Sequence, residues 1–117
     1  MEVKDLSKRV KISQADKQMS LTIDALNKSY HYHKQVLNED ENGITRYEGD
    51  KLMYSRRSVF KIENTLSLLP ERERIIIDAE VINSKKGTKW YREFFSVPTY
   101  YRNRKHAYKM FLDMINK

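Results

Sequence analysis

The feature that most restricts the fold is a regular spacing of apolar side chains in the first third of the chain. From Ser13 onward, side chains that suit a buried face recur at alternating steps of four and three residues: Met19, Ile23, Leu26, Tyr30, His33 and Leu37. Such steps place side chains on one face of an α-helix, which turns once in about 3.6 residues. The spacing therefore predicts a long amphipathic helix that ends near Asn38.

A loop and a second helix are predicted to follow. Residues 38–43 combine three carboxylates with Asn and Gly, a composition that favours a loop, here continuing to about Gly49. Asp50 is a suitable N-cap for a helix that ends before Pro70. Its apolar residues again keep helical spacing: Leu52, Val59, Ile62, Leu66 and Leu69. The two helices predict a helical hairpin, paired either within one chain or between two chains.

The second half of the chain predicts a third helix, a short helical segment and a last helix. Pro70 suits a first helical turn, and the expected buried stripe behind it is Ile75, Ile76, Ala79 and Ile82. A short strand at 75–77 is the alternative for the isoleucine run. Residues 89–95 predict two helical turns. The last helix is predicted from about Val97 to Ile115, with Tyr101, Tyr108, Leu112 and Ile115 on its inner side.

These elements predict an all-α fold with a single core. The chain has 117 residues, the usual size of one domain. We expect residues 1–14 to form an N-terminal tail and residues 15–117 to form one helical domain. Because no stretch approaches the length of apolar sequence that a membrane span needs, and no apolar segment follows the N-terminal charges, we expect a cytoplasmic protein with no membrane partner.

Composition argues against an enzyme, a cofactor site and a metal site. The chain has no cysteine and only three glycines, so thiol chemistry and a phosphate-cradling glycine loop are both missing. His31 and His33 lie two residues apart, which places them on different faces of a helix. We therefore expect a binding protein without catalytic residues, metal or cofactor.

The distribution of charge is more informative than its total. The formal net charge is +7 and the sequence pI is about 9.6, which favours an anionic partner. Carboxylates cluster in the middle of the chain, whereas between Lys85 and Lys109 the cations meet a single carboxylate, that of Glu93. This asymmetry predicts a cationic surface formed by the last part of the chain.

A short helix, a tight turn and a basic last helix are typical of a helix-turn-helix, which is expected here at about residues 87–115. Its second helix places N-terminal side chains in the major groove of DNA. The groove-facing candidates are Thr99, Tyr100, Arg102, Asn103 and His106. The candidates for contacts with the DNA backbone are Lys85, Lys86, Lys89, Arg92, Arg104, Lys105 and Lys109. The alternative is an ordinary solvated cationic helix, but two tyrosines in its first turn favour a function.

Two segments also resemble a known family. Residues 66–76, which contain Leu69-Pro70 followed by Arg74 and Ile76, are similar to the start of region 4 of bacterial sigma factors. Ser96-Val97-Pro98-Thr99-Tyr100-Tyr101-Arg102 is similar to the start of the recognition helix in ArpU-type phage transcriptional regulators, which are themselves sigma-region-4-like. The resemblance covers about residues 50–115. It implies a helical hairpin followed by a sigma-region-4-like helix-turn-helix.

The resemblance also implies roles for particular positions. It puts Thr99, Tyr100, Arg102 and Asn103 at the DNA. It implies packing positions at Leu69, Ile76, Phe95, Tyr101 and Ala107. The family usually has small residues in the first helix of the motif, where this chain has Trp90, Tyr91, Phe94 and Phe95. Either the two helices lie further apart here, or the motif is degenerate.

The leading hypothesis is a sequence-specific transcriptional regulator that binds double-stranded DNA through this basic helix-turn-helix. RNA polymerase and a second copy of the chain are further candidate partners, because small helix-turn-helix proteins often bind two half-sites as dimers. The alternative function is a degenerate sigma-like module that binds RNA polymerase or a sigma factor without recognising DNA. A third hypothesis is a phage packaging or RNA-binding protein, because tyrosines on a basic helix can stack on unpaired bases.

Overall fold

The computed structural model describes residues 13–117, and within this range the chain forms helices without any β-strand. The elements are α1 (Gln14–Glu41), α2 (Gly49–Ser67), α3 (Glu71–Ile77) with a π-helical turn at Asp78–Ile82, a 3₁₀ turn at Trp90–Glu93, and α4 (Val97–Ile115). The all-α prediction is confirmed, and the isoleucine run at 75–77 is helical rather than a strand. Residues 1–12 of the expected tail lie outside the described range. Ser13 and Gln14, also assigned to that tail, instead cap and begin α1.

α1 begins where the sequence predicts and continues beyond its expected end at Asn38. The side-chain oxygen of Ser13 caps the helix by accepting the Asp16 amide at 3.0 Å. The acidic residues after Asn38 extend the helix because they hold the following loop. Glu39 accepts the Tyr47 hydroxyl at 2.7 Å, and Asp40 accepts the Tyr47 amide at 3.2 Å. The carboxylates that predicted a solvated loop therefore anchor a shorter one, residues 42–48.

α1 and α2 pair within one chain, as one of the two alternatives predicted. Ile23, Tyr30, Val59 and Ile62 are buried in one cluster, and Met19, Leu26, Leu37 and Leu66 pack against it. His33 faces Ser55 inside this interface, with 2.8 Å between Nδ1 and the hydroxyl oxygen. The seam deduced from steps of three and four residues is thus the buried face of the hairpin.

α3 follows the predicted position, but its buried stripe differs from the predicted one. Ile76 and Ala79 are buried as predicted, while Ile75 and Ile82 are only half-buried. Ile77, Glu80 and Val81 are buried as well, and with Ile76 they keep the three- and four-residue steps of an α-helix. A π-helical turn ends the helix, closed by the Asn83 amide, which donates to the Asp78 carbonyl at 3.0 Å.

α4 has the predicted bounds, and Tyr108 and Ile115 are buried as predicted, but the rest of its inner side differs. Its buried residues are Tyr100, Asn103, Ala107, Tyr108, Phe111 and Ile115. Leu112 is half-buried and Tyr101 is 50% exposed, so the inner side lies on Tyr100 rather than on Tyr101. The side chains of α4 join the cluster formed by the hairpin and α3. None of the helices within residues 13–117 is long and apolar enough to cross a membrane.

Candidate nucleic-acid interface

The first turn of α4 is shaped by a cap and contains no carboxylate. The Ser96 hydroxyl donates to Thr99 Oγ1 at 2.8 Å, and its oxygen accepts the Thr99 amide at 3.4 Å. Pro98 lies in this first turn, where a missing N–H costs little. Arg102 Nη2 lies 3.4 Å from Thr99 Oγ1. Ser96, Thr99 and Arg102 therefore place polar and cationic groups on one side of the helix start.

The exposed face of α4 carries four of the predicted contact residues. Arg102, Lys105, His106 and Lys109 are exposed, and Thr99 is half-buried beside them. Lys105 lies 3.5 Å from Asp16, and Lys109 lies 3.3 Å from Asp113. Ion pairs between solvated side chains contribute about 0–1 kcal/mol, so these cations can exchange their partners for phosphates at little cost.

The loop before α4 carries further exposed cations. Lys85, Lys89 and Arg92 are exposed, and within residues 13–117 no carboxylate lies within ion-pair distance of them. Lys86 differs, because it is half-buried and forms an ion pair with Asp24 of α1 at 2.9 Å. We refer to Lys85, Lys89, Arg92, Arg102, Lys105 and Lys109 as the cationic surface.

Contacts with α1 fix the conformation of this loop. Asn27 Nδ2 donates to the Val81 carbonyl at 2.7 Å and to the Ser84 hydroxyl oxygen at 2.9 Å. Ser84 has a φ of 56°, a left-handed conformation that non-glycine residues rarely adopt. Gly87 has a φ of 87°, which glycine tolerates without strain. The loop is therefore held against the hairpin by specific hydrogen bonds.

Two of the predicted groove-facing residues point inward instead. Tyr100 is 3% exposed, and its ring stacks on Tyr91 at 3.8 Å between centroids. Asn103 is also buried. Neither side chain can reach a base edge while α4 is packed, which corrects the prediction. The candidates that remain for base contacts are Thr99, Arg102 and His106.

The packing positions implied by the family resemblance are mostly where they were expected. Leu69, Ile76 and Ala107 are buried, and Phe95 packs against the core. Tyr101 is the exception, because it is half-exposed while its neighbour Tyr100 fills the inner position. The two tyrosines have thus exchanged the roles that the resemblance implied.

A buried carboxylate explains this orientation of α4. Glu80, on the π-helical turn, is 1% exposed and accepts hydrogen bonds from the Tyr100 and Tyr108 hydroxyls. It also accepts the Trp90 indole N–H at 3.0 Å. Burial first, and then the Glu80 carboxylate, raise the pKa of both tyrosines, so they remain protonated donors. One carboxylate thus connects α3, the 3₁₀ turn and α4.

Arg104 belongs to this buried cluster rather than to the cationic surface. Its guanidinium carbon lies 5.0 Å from the ring centroid of Tyr101, 5.3 Å from Tyr108 and 5.9 Å from Tyr100. Burial alone would lower the pKa of Arg104, but Tyr108, Tyr100 and Glu80 together raise it. The predicted role of Arg104 at a phosphate is therefore corrected to packing over aromatic rings.

Sequence patterns gave only a weak signal for Glu80. It is a lone carboxylate within the apolar stretch Ala79-Glu80-Val81-Ile82, and Tyr100, Arg104 and Tyr108 follow at steps of four residues. Each observation is common by itself. The hydrogen bonds join residues 20 and 28 positions apart, which no local periodicity describes.

A second buried carboxylate holds His106. Glu73 accepts from His106 Nδ1 at 3.0 Å and from Arg72 Nε at 3.1 Å. Burial alone would raise the pKa of Glu73, but the hydrogen bonds from His106 and Arg72 outweigh it and lower that pKa. Glu73 therefore remains ionised and connects α3 to the exposed face of α4.

The bulky segment before α4 is shorter than predicted. Residues 90–93 form one 3₁₀ turn rather than two α-helical turns. Tyr91 is buried, while Trp90 and Phe95 pack against the core. Phe94 remains 56% exposed. The large side chains therefore fill the space around a single turn, where the sequence predicted the first helix of a helix-turn-helix.

The two histidines of α1 have separate surroundings. His31 is exposed, with Nε2 3.1 Å from the Ser84 hydroxyl oxygen, whereas His33 is buried beside Ser55. Among the described residues, no three His, Asp or Glu side chains are grouped so that they could hold a metal ion.

The chain was also compared with known proteins, and no protein-family model, curated protein or solved structure matches it.

Proposed function

We propose that this chain is a sequence-specific DNA-binding protein, a transcriptional regulator that places the exposed face of α4 on duplex DNA. The observation that carries the proposal is the cationic surface: six exposed Lys and Arg side chains on α4 and on the loop before it. Glu93 is the only carboxylate residue between Lys85 and Lys109. A surface of this composition suits a polyanion, because each cation that neutralises a phosphate releases bound counterions.

Different residues of this surface would contact the bases and the phosphates of DNA. Thr99, Arg102 and His106 lie near the start of α4 or one to two turns further on, where a docked helix meets base edges. Arginine there can bind the two acceptors of guanine in the major groove. Lys85, Lys89 and Arg92 on the loop, with Lys105 and Lys109 on α4, would contact phosphates.

Selection of bound fragments from a random duplex pool tests this proposal. We expect an enriched sequence motif, and we expect Arg102→Ala to reduce the preference for that motif by about tenfold or more, the usual range for a lost base contact. Arg57→Ala is the matched control, because it removes an exposed arginine from α2. No enrichment with the wild-type chain, or an equal effect of both variants, would contradict sequence-specific binding.

A second candidate is a sigma-like module that binds RNA polymerase or a sigma factor without recognising DNA. The single 3₁₀ turn at Trp90–Glu93 and the exposed Phe94 favour it, because a helix-turn-helix normally has a full first helix and because exposed aromatic side chains suit protein partners. If the wild type binds no duplex at low salt, retention of purified polymerase would support this candidate instead.

A further inference from the structure

The exposed face of α4 changes in chemistry along its length. Its first two turns expose Val97 and Tyr101, which are 46% and 50% accessible, directly after the exposed Phe94 and beside the exposed Arg102. The following turns expose Lys105 and Lys109. Val97 and Tyr101 are four residues apart, so they lie on the same side of the helix. One side of the start of this cationic helix is therefore apolar.

The Tyr101 ring is held in place although half of its surface is exposed. It lies 5.0 Å from Tyr100 and 6.3 Å from Tyr91, measured between centroids, and the Arg104 guanidinium carbon lies 5.0 Å from its centroid. Tyr100 and Arg104 both belong to the Glu80 cluster, so this cluster packs against the Tyr101 ring. An ordered aromatic surface of this kind loses little conformational entropy when it is covered.

We infer that Val97 and Tyr101 contact the 5-methyl groups of thymine in the major groove, an inference that rests on the proposed function. Thymine is the base that presents a methyl group there, and apolar side chains recognise it by direct contact. Residues at the start of a docked helix are those that meet base edges. Val97 and Tyr101 are apolar groups at that position.

The spacing along α4 agrees with this placement. From Val97 to Lys105 the helix rises about 12 Å, at about 1.5 Å for each residue, and the major groove is about 12 Å wide. When the apolar end lies over the bases, Lys105 therefore reaches the phosphates at the edge of the groove. The exposed Arg102 adjoins Tyr101, and the Arg104 guanidinium carbon lies 5.0 Å from the centroid of the Tyr101 ring, so the apolar side is bordered by positive charge, which favours DNA over an apolar protein surface as the occupant.

The test compares duplexes that differ only in methyl groups. Duplexes enriched from a random pool are resynthesised with uracil in place of thymine, and affinities are measured by fluorescence anisotropy. The wild type should bind the thymine form more tightly by about fourfold for each methyl contact, as expected for burying a group of that size. Val97→Ser and Tyr101→Ser should each reduce this preference while keeping the wild-type dependence on salt.

Phe60→Ser is the matched control, because Phe60 is an exposed apolar residue on α2. It should leave the thymine preference unchanged. Val97→Thr, which keeps the branched shape, provides a second variant if Val97→Ser fails to fold by circular dichroism. Equal wild-type affinity for the thymine and uracil forms would overturn the methyl contact while leaving DNA binding intact. Absence of any duplex binding would overturn both, and would assign the apolar end to a protein partner.

Discussion

The hairpin of α1 and α2 and the unit of α3 and α4 bury polar groups in different ways. The hairpin interface contains a neutral pair, His33 and Ser55, inside a seam of apolar side chains. The second unit buries two carboxylates, Glu73 and Glu80, and satisfies them with donors from α3, the 3₁₀ turn and α4. The hairpin is therefore held mainly by apolar burial, whereas α4 combines apolar burial with hydrogen bonds to buried carboxylates.

This difference matters because α4 carries the proposed function. Apolar contacts are non-directional, whereas the hydrogen bonds from the Tyr100 and Tyr108 hydroxyls to Glu80 depend on how α4 is rotated. In the observed orientation Tyr101, Arg102, Lys105 and Lys109 face outward. The buried carboxylate thus determines which side chains form the cationic surface.

The largest expected effect is the loss of Glu80. Glu80→Ala leaves the Tyr100 and Tyr108 hydroxyls and the Trp90 N–H without their acceptor. Because each buried donor left unsatisfied costs about 1–3 kcal/mol, the free energy of unfolding should fall by about 3–5 kcal/mol. Ser55→Ala removes one partner of the hairpin pair and should cost about 1–3 kcal/mol. Urea denaturation of both variants measures the two values. If Glu80→Ala reduces the free energy of unfolding no more than Ser55→Ala does, the proposed difference between the two regions is wrong.

The next prediction concerns which side chains of α3 are buried. Ile76→Ala removes a fully buried side chain and should destabilise by about 2–5 kcal/mol. Ile75→Ala is the matched control, since the adjacent isoleucine is only half-buried and should cost clearly less. Equal losses would show that the inward positions of this helix are assigned wrongly.

The elements that the sequence predicted well are those with apolar periodicity or clear caps. The seam of α1 and α2 followed from spacing alone, and the last helix was predicted with the bounds that it has, Val97–Ile115. Sequence reasoning failed where a polar group is buried. It placed Tyr100 at the DNA and Tyr101 in the core, because the acceptor that orients α4 is Glu80, twenty residues before Tyr100. It also missed the π-helical turn at Asp78–Ile82 and the burial of Val81 within it.

Some residues of the candidate site were likewise predicted correctly from the sequence, and others were not. Positive charge without intervening carboxylates identified side chains that are exposed in the fold, among them Lys85, Lys89, Arg92, Arg102 and Lys105. Asn103 and Arg104 carry equally suitable groups but lie on the inner or partly covered side of α4. Composition cannot distinguish these sides, because the phase of the helix depends on long-range hydrogen bonds.

Smaller effects are expected on the pH dependence of stability, which should differ between the hairpin and the unit of α3 and α4. Burial, with a contribution from Lys51, lowers the pKa of His33 from its usual 6.5. The unfolded chain therefore binds a proton before the folded chain does, and stability from this site should be complete above pH 6.5 and decline as the pH falls below it. Thermal unfolding across this range should show the decline in the wild type and a weaker one in His33→Gln.

The Glu73 site should respond at lower pH. The pKa of Glu73 lies below its usual 4.5, so its stabilising contribution is complete above that value and is lost as the pH falls through the lowered pKa. Glu73→Gln should flatten the pH dependence below 4.5 without changing the decline that begins at 6.5. If His33→Gln instead removes the lower decline, the two sites are assigned wrongly.

The central claim is that the cationic surface binds the DNA backbone, and the salt dependence of duplex affinity tests it most directly. Affinity measured by fluorescence anisotropy at several salt concentrations should fall steeply for the wild type. Lys109→Ala should flatten the slope of log affinity against log salt by about one unit, whereas Arg57→Ala on α2 should leave it unchanged. Identical slopes for all three proteins, or no wild-type binding tighter than micromolar at low salt, would contradict the claim.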